Sequence, residues 1–281
     1  MIIMHELPLR FVEYTGFREM MEYCQPRFES MSRNTPKSEI FKLYYFGKSF
    51  SYSRYMVRRQ MKKMPKEGVG QDLYIILNGP SLKTQNLELL KGKNIMFVNR
   101  GFMHPLYKEL QPKYHIFVDP KLRDGEWPIE WIDTIFEMCP NIRIILPILW
   151  CNLPRFARFK NDKRIFWQYW RVPYYQLGVS GGCFSYGISQ GFERIFFTGF
   201  DANGCAYDMI KQSENSHFYG SDPELENMTT KEHAHALFTT FLHFQDLNDF
   251  AQYCKRKSIS VINLTNGGLL DMFPRMNFDK Q

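Results

Sequence analysis

Residues 74–83 read YIILNGPSLK. The apolar run from Tyr74 to Leu77 has the length and composition of a short buried strand, and Asn78-Gly79-Pro80-Ser81 ends it abruptly. Gly79 lets another group come close to the backbone, Pro80 cannot continue a ladder, and Ser81 is a good helix cap. A helix is therefore expected over LKTQNLELL, residues 82–90. Strand, polar turn and helix open an α/β unit. The free N–H groups at such a helix start form a ready phosphate cradle.

The same texture continues downstream. Short β-rich runs occur at 73–77, 94–98, 114–118, 142–146, 164–169, 194–199 and 259–264, with helical stretches between several of them. That alternation predicts an α/β, Rossmann-like, mostly parallel sheet with helices on both faces. The clearest helix follows Thr229, which forms a capping box with Glu232. Leu237, Phe238, Phe241, Phe244, Leu247, Phe250 and Cys254 supply its apolar stripe, and Lys255, Arg256 and Lys257 suit its C-terminal dipole.

Upstream the composition differs. The sequence assigns residues 1–70 to a basic, helical N-terminal extension and 71–281 to the Rossmann-like domain, with PKEGVG at 65–70 as linker. The net charge of +7 favours an anionic partner. Seven of the 36 Lys and Arg residues fall between Lys48 and Lys66, interleaved with Tyr52, Tyr55, Met56, Met61 and Met64. This segment reads first as a solvated linking helix and second as a face for anionic lipid. With no signal pattern and no apolar run of about 18 residues, the expected setting is cytoplasmic, either free or peripheral on the inner membrane face. Six scattered cysteines without a Cys-x-x-Cys pair indicate neither a zinc site nor a disulfide framework.

Ligands of open α/β sheets bind beyond the carboxyl ends of the strands. Here those ends carry Asn78-Gly79-Pro80-Ser81, Asn99-Arg100-Gly101, Asp119-Pro120 and Gly199-Phe200-Asp201. Each is an ordinary turn composition, and their recurrence at equivalent places marks a site. A second phosphate-compatible start is Ser180-Gly181-Gly182, leading into a small-residue helix that ends at Gly191; close helix–sheet packing explains those glycines equally well. Neither stretch is a Walker loop or a spaced-glycine dinucleotide fingerprint. No Asp-x-Asp triplet occurs, and no metal or cofactor is called for.

Taken in order, NGPSL, Asn99, SGG, GFDANGCAY and ENSHFYG resemble the bacterial sialyltransferases that decorate lipooligosaccharides, glycosyltransferase family 42, over about residues 73–274. The resemblance implies a metal-independent, inverting transferase. It would move an acidic sugar (sialic acid, another nonulosonic acid or Kdo) from a CMP-sugar donor to a cell-surface glycan or glycolipid acceptor. It implies that Asn78, Gly79 and Ser81 contact CMP phosphate and ribose, and that Asn99 makes a second nucleotide contact. Ser180 and Gly181 would lie near the donor carboxylate, and Gly199 and Asp201 beside the cytidine. Tyr207 would stabilise the leaving phosphate, and His217 would act as the base. The family's asparagine after the third strand is Asp119 here, an arginine before the SGG segment is replaced by Leu177, and one phosphate-side tyrosine is missing.

The chemistry suits these residue types: an imidazole near neutrality accepts the acceptor proton, and hydroxyl and N–H donors stabilise the departing phosphate. Of the other histidines, His115 lies in a strand and reads as structural, while His233 and His235, two apart, do not share a helix face. Two other classes remain open. One is a diphosphotransferase or other nucleotide-dependent enzyme on a related fold. The other is a non-catalytic protein that binds lipid or nucleic acid through its basic segment. The transferase reading expects no nucleic-acid partner and allows a homo-oligomer.

Overall fold

The structure is a computed structural model and describes residues 66–168, 178–204, 206, 217–220 and 228–280. The basic residues 48–65 and Tyr207 lie outside the described residues. What is described belongs to one unit, Lys66–Gln281.

Seven strands form one sheet: β1 (Asp72–Ile76), β2 (Ile95–Val98), β3 (Tyr114–Ile116), β4 (Arg143–Pro147), β5 (Ile165–Gln168), β6 (Arg194–Thr198) and β7 (Ser260–Asn263). All neighbours are parallel, in the order β5-β4-β3-β2-β1-β6-β7. Every apolar run singled out in the sequence is one of these strands. Parallel strands are buried on both faces, which is why β2 shows four buried residues in a row instead of alternating.

The chain steps outward from β1 to β5, then crosses back and lays β6 against the other side of β1. Right-handed crossovers therefore place the early connections on one face and the late ones on the other. On the first face Tyr74, Ile76, Ile95, Phe97, Ile144 and Leu146 pack with Leu82, Leu90, Tyr107, Leu122, Ile132 and Phe136. These partners come from short turns and from α1 (Tyr107–Leu110), α2 (Pro120–Asp124) and α3 (Trp131–Met138). The second face is covered by α4 (Gly178–Gln190) and α5 (Thr230–Arg256). There Phe184 of α4 stacks on Phe250 of α5 at 5.0 Å and meets Phe197 of β6 edge-on at 5.8 Å. The expected layers are present, and no helix among the described residues is long and apolar enough to cross a membrane.

Four local expectations are corrected. Residues 82–90 do not form one helix; they make two 3-10 turns, Pro80–Thr84 and Leu87–Leu90. Gln85 separates them because its side chain is held by Thr198 and by the Leu264 carbonyl, and the Asn86 side chain then starts the second turn. A five-residue turn has little dipole, so the expected phosphate cradle of a helix start is not built there. Ser180-Gly181-Gly182 lies inside α4, which begins at Gly178. Further along α4, Gly187 lies close to the sheet: a Cβ there would fall 2.7 Å from Ile195 Cδ1 and 3.1 Å from Leu73 Cδ2.

Residues 66–70 are not a loose linker. Gly68 N donates to Gln190 O at 3.1 Å, and Glu67 pairs with Arg143. Finally, the stripe on α5 is buried only at Leu247, Phe250, Ala251 and Cys254. Leu237, Phe238 and Phe241 are 42%, 58% and 56% exposed. The helix rises about 40 Å while the neighbouring strand spans only about 13 Å, so its first half overhangs the carboxyl edge of the sheet.

Gly199 has φ +66, and a Cβ there would stand 2.6 Å from Leu77 O and 2.8 Å from Leu82 Cγ. Gly92 has φ +81 with open space around it. Gly199→Ala is expected to cost about 2–5 kcal/mol, the left-handed penalty plus overpacking. Gly92→Ala should cost only about 1–2 kcal/mol. Urea unfolding of the two variants checks this, and equal losses would contradict it.

Candidate functional site

The chain reversal makes β1 and β6 neighbours and creates a topological switch point at their carboxyl ends, the usual crevice for a ligand in such sheets. The ladder runs one step beyond the strands. Leu77 N donates to Thr198 O at 2.9 Å and Gly79 N to Gly199 O at 2.8 Å. Asp201 then turns back over β1. Its Oδ2 accepts from Ser81 Oγ at 2.9 Å and from Ser81 N at 3.4 Å. Burial pushes the Asp201 carboxyl above its usual range, and the two Ser81 bonds pull in the opposite direction.

This closure explains the turn at 78–81. Gly79 has an ordinary φ of −66, so its backbone does not require glycine. A Cβ there would run into Asp201 Oδ2 and sit 2.6 Å from Gly199 O. The close approach expected of a ligand is made by the protein's own β6 loop. Ser81, expected to cap a helix, instead holds Asp201.

At the next strand end, Asn99 is held in the left-handed region at φ 45 and is buried. Its carbonyl accepts from His115 Nε2 at 2.9 Å, and Tyr107 Oη lies 2.9 Å from His115 Nδ1. A carbonyl only accepts, so Nε2 carries the proton, Nδ1 accepts, and the tyrosine donates. Burial lowers the His115 pKa to about 3, against the opposing pull of the Asn99 carbonyl. His115 is thus a neutral strut, as its place in a strand suggested, and its load is a candidate site residue. The side-chain oxygens of Asn78 and Asn99 are buried without a hydrogen-bond partner. Two buried orphan acceptors therefore lie on adjacent strand ends.

Residues 217–220 hang over this edge. Phe218 N donates to Asn78 O at 3.1 Å, and His217 bridges to Gly220. The His217 ring stacks on Tyr219 at 4.8 Å, and Phe218 packs on His104 at 5.2 Å. His217 is therefore brought to the strand ends together with Asn78, Gly79, Ser81, Asn99, Gly199 and Asp201. Asp119, at the end of β3, caps α2 through Lys121 N at 3.0 Å. Ser180 and Gly181 are buried in the first turns of α4. No group of three or more His, Cys, Asp or Glu side chains that could hold a metal ion occurs among the described residues.

Sequence reasoning missed three features. The His115–Tyr107 strut has no sequence signal beyond a histidine in a strand. Arg100 stands beside Asn99 at a strand end, and its charge could have been noticed there. A pocket of about 310 Å³ lies between the β6 loop at Phe200, Ala202 and Gly204 and α5 at Thr239, His243 and Phe244, beside the exposed Leu237, Phe238 and Phe241.

Comparison of the chain with protein-family models, curated proteins and solved structures gives no match.

His115 supplies a pH test. Its native pKa lies below the unfolded value near 6.5, so between about pH 6.5 and 3 the unfolded chain binds the extra proton. Stability is fully present above that window and falls with pH inside it, by about 1.4 kcal/mol per unit for one proton. Urea midpoints at pH 6.5, 5.8 and 5.2, above most carboxylate titration, should fall for the native sequence and fall less steeply for His115→Gln. Parallel slopes would remove His115 as the cause.

Proposed function

We propose that the protein is a glycosyltransferase that moves an acidic sugar from a CMP-linked donor to a glycan or glycolipid acceptor. The observation that carries this reading is the switch-point cluster. Ser81 and Asp201 lie locked together across β1 and β6, and His217 is hung over the same edge by the Phe218–Asn78 bond. The partnerless, buried amide oxygens of Asn78 and Asn99 stand at the same strand ends. The ordered motif resemblance supplies the donor class.

In this reaction the acceptor hydroxyl attacks the anomeric carbon while the bond from that carbon to the phosphate oxygen breaks. CMP leaves with the bonding electrons and His217 takes the acceptor proton, so no cofactor enters the balance. Tyr207 is assigned to the departing phosphate on the resemblance alone. Asp201 and Ser81, bonded to each other, border the nucleotide end and shape it. The overhanging Leu237, Phe238 and Phe241 favour an acceptor with an apolar portion, such as a lipid-linked glycan. The basic stretch 48–66 reads first as a solvated linking helix; an anionic membrane face is its second reading, on the strength of its charge alone.

Calorimetry in the presence of a chelator tests the nucleotide. CMP should bind, and bind more tightly than UDP or GDP; a strict magnesium requirement, or preference for another nucleotide, would defeat the proposal. In turnover, His217→Ala should lower kcat by roughly 10²–10⁴-fold with CMP affinity unchanged. His233→Ala and His235→Ala, on the overhang of α5, should leave kcat near normal. The reverse pattern would move the base to the long helix.

A further inference from the structure

We propose that the amino edge of the sheet docks on an anionic lipid surface. The inference is independent of the transferase reading and of the basic stretch upstream, and it starts from strand direction. Because all seven strands are parallel, every segment that enters a strand arrives at the same edge, opposite the switch-point site. Six gaps of about 4.8 Å between neighbours make that edge a row about 29 Å long. Basic residues stand at each position along it. Lys93 and Lys113 precede β2 and β3, Arg164 precedes β5, and Arg143 and Arg194 open β4 and β6. Lys66 stands before β1, and Lys255, Arg256 and Lys257 lead into β7. Segments 66–72, 91–94, 111–113, 139–143, 160–164, 191–194 and 255–259 together carry twelve Lys and Arg residues against four acidic ones, Glu67, Asp72, Asp162 and Glu193.

Local pairing neutralises only part of this charge. Arg143 pairs with Glu67, Arg164 with Asp162, Arg194 with Asp72, and Lys91 with Glu109 of α1. Lys113, Lys163, Lys255, Arg256 and Lys257 are exposed and have no carboxylate partner among the described residues. Lys113 Nζ instead donates to Asn94 Oδ1 at 2.6 Å, and Asn94 Nδ2 donates to Gln71 Oε1 and to Asp72 O, each at 2.9 Å. Those bonds join the approaches to β1, β2 and β3 into one surface.

Two apolar side chains project among these cations. Val69 is 66% exposed and Leu89 is 42% exposed. Val69 and Lys66 lie side by side, both within 3.5 Å of the place a Cβ would take on Gly191. Leu89 stands two residues before Lys91. Cations beside shallow apolar tips suit the headgroup boundary of a bilayer, where each Lys or Arg close to an anionic surface strengthens binding about fivefold. A nucleic acid would meet the same charge, but its single strands are held on exposed aromatic platforms. The rings at this edge, Tyr74, Tyr114 and Phe192, are 6%, 5% and 7% exposed. Docked by its amino edge, the protein leaves the carboxyl edge open to solvent.

Flotation of the full chain is measured with vesicles of phosphatidylcholine alone and of a phosphatidylcholine–phosphatidylglycerol mixture. The native chain should bind the mixture, ignore phosphatidylcholine, and release as salt is raised. Changing Lys113→Gln, Lys163→Gln, Lys255→Gln and Lys257→Gln together should weaken binding by roughly 10²–10³-fold, about fivefold for each ammonium removed. A control chain with Arg58, Arg59, Lys62 and Lys63 reversed in charge tests the upstream stretch. If that control loses the vesicles while the fourfold edge variant keeps them, the proposal falls. It falls too if the native chain binds no anionic vesicle, or prefers a double-stranded RNA oligomer to vesicles at equal phosphate concentration. A readout that needs no variant is amine acylation of the native chain, with and without vesicles, followed by mass spectrometry. Lys113, Lys163, Lys255 and Lys257 should be protected, while Lys83 after β1 and Lys231 at the start of α5 stay reactive. Protection of Lys83 and Lys231 in place of the edge lysines would put another face on the bilayer and overturn the assignment.

Discussion

The hydrogen bond from Gly79 N to Gly199 O, 2.8 Å long, joins β1 to β6 one step past the ends of both strands. It forms because neither residue has a side chain. A Cβ on Gly79 would strike Asp201, and one on Gly199 would strike Leu77 and Leu82. With the two turns drawn together, Asp201 reaches Ser81, and the polar residues at the end of β1 face those at the end of β6. The crevice, its locked carboxylate and the anchorage at Asn78 for residues 217–220 all follow from that contact.

Around it the protein sets buried polar groups against a rigid apolar support. Asp201 is raised by burial and His115 is kept neutral to about pH 3. Asn99 adopts a left-handed backbone and leaves a buried side-chain oxygen without a partner. Each feature costs free energy in isolation. They persist because two aromatic-rich layers hold the sheet: Phe97 and Tyr107 on one face, Phe184, Phe197 and Phe250 on the other. Asn78, Asn99 and Asp201 place part of that strain and unsatisfied polarity at the carboxyl edge of the sheet.

Residues 217–220 are tied to the same edge by backbone and ring contacts. Phe218 N donates to Asn78 O at a strand end, Phe218 packs on His104, and Tyr219 lies against the Arg100 guanidinium. The segment places an imidazole beside the polar groups at the strand ends. The overhang of α5 stands at the same carboxyl edge, so its apolar residues lie beside the β6 loop.

The seven strands, the capping box at Thr229 and the glycine stop at Gly191 were legible in the sequence because their causes are local. Apolar runs, a Thr–Glu pair three apart and a residue suited to positive φ carry their own meaning. So were the polar strand ends, since polar residues interrupt apolar runs for few reasons. What the sequence could not decide depended on partners far along the chain. Ser81 looked like a cap until Asp201, 120 residues later, claimed its hydroxyl. Residues 82–90 looked like one helix until Thr198 and Leu264 held Gln85. Gly79 looked like a space for a ligand until β6 filled it. Local pattern determined the elements and their order, while the tertiary structure chose what each polar side chain touches, because those contacts are made across strands that sequence distance does not relate.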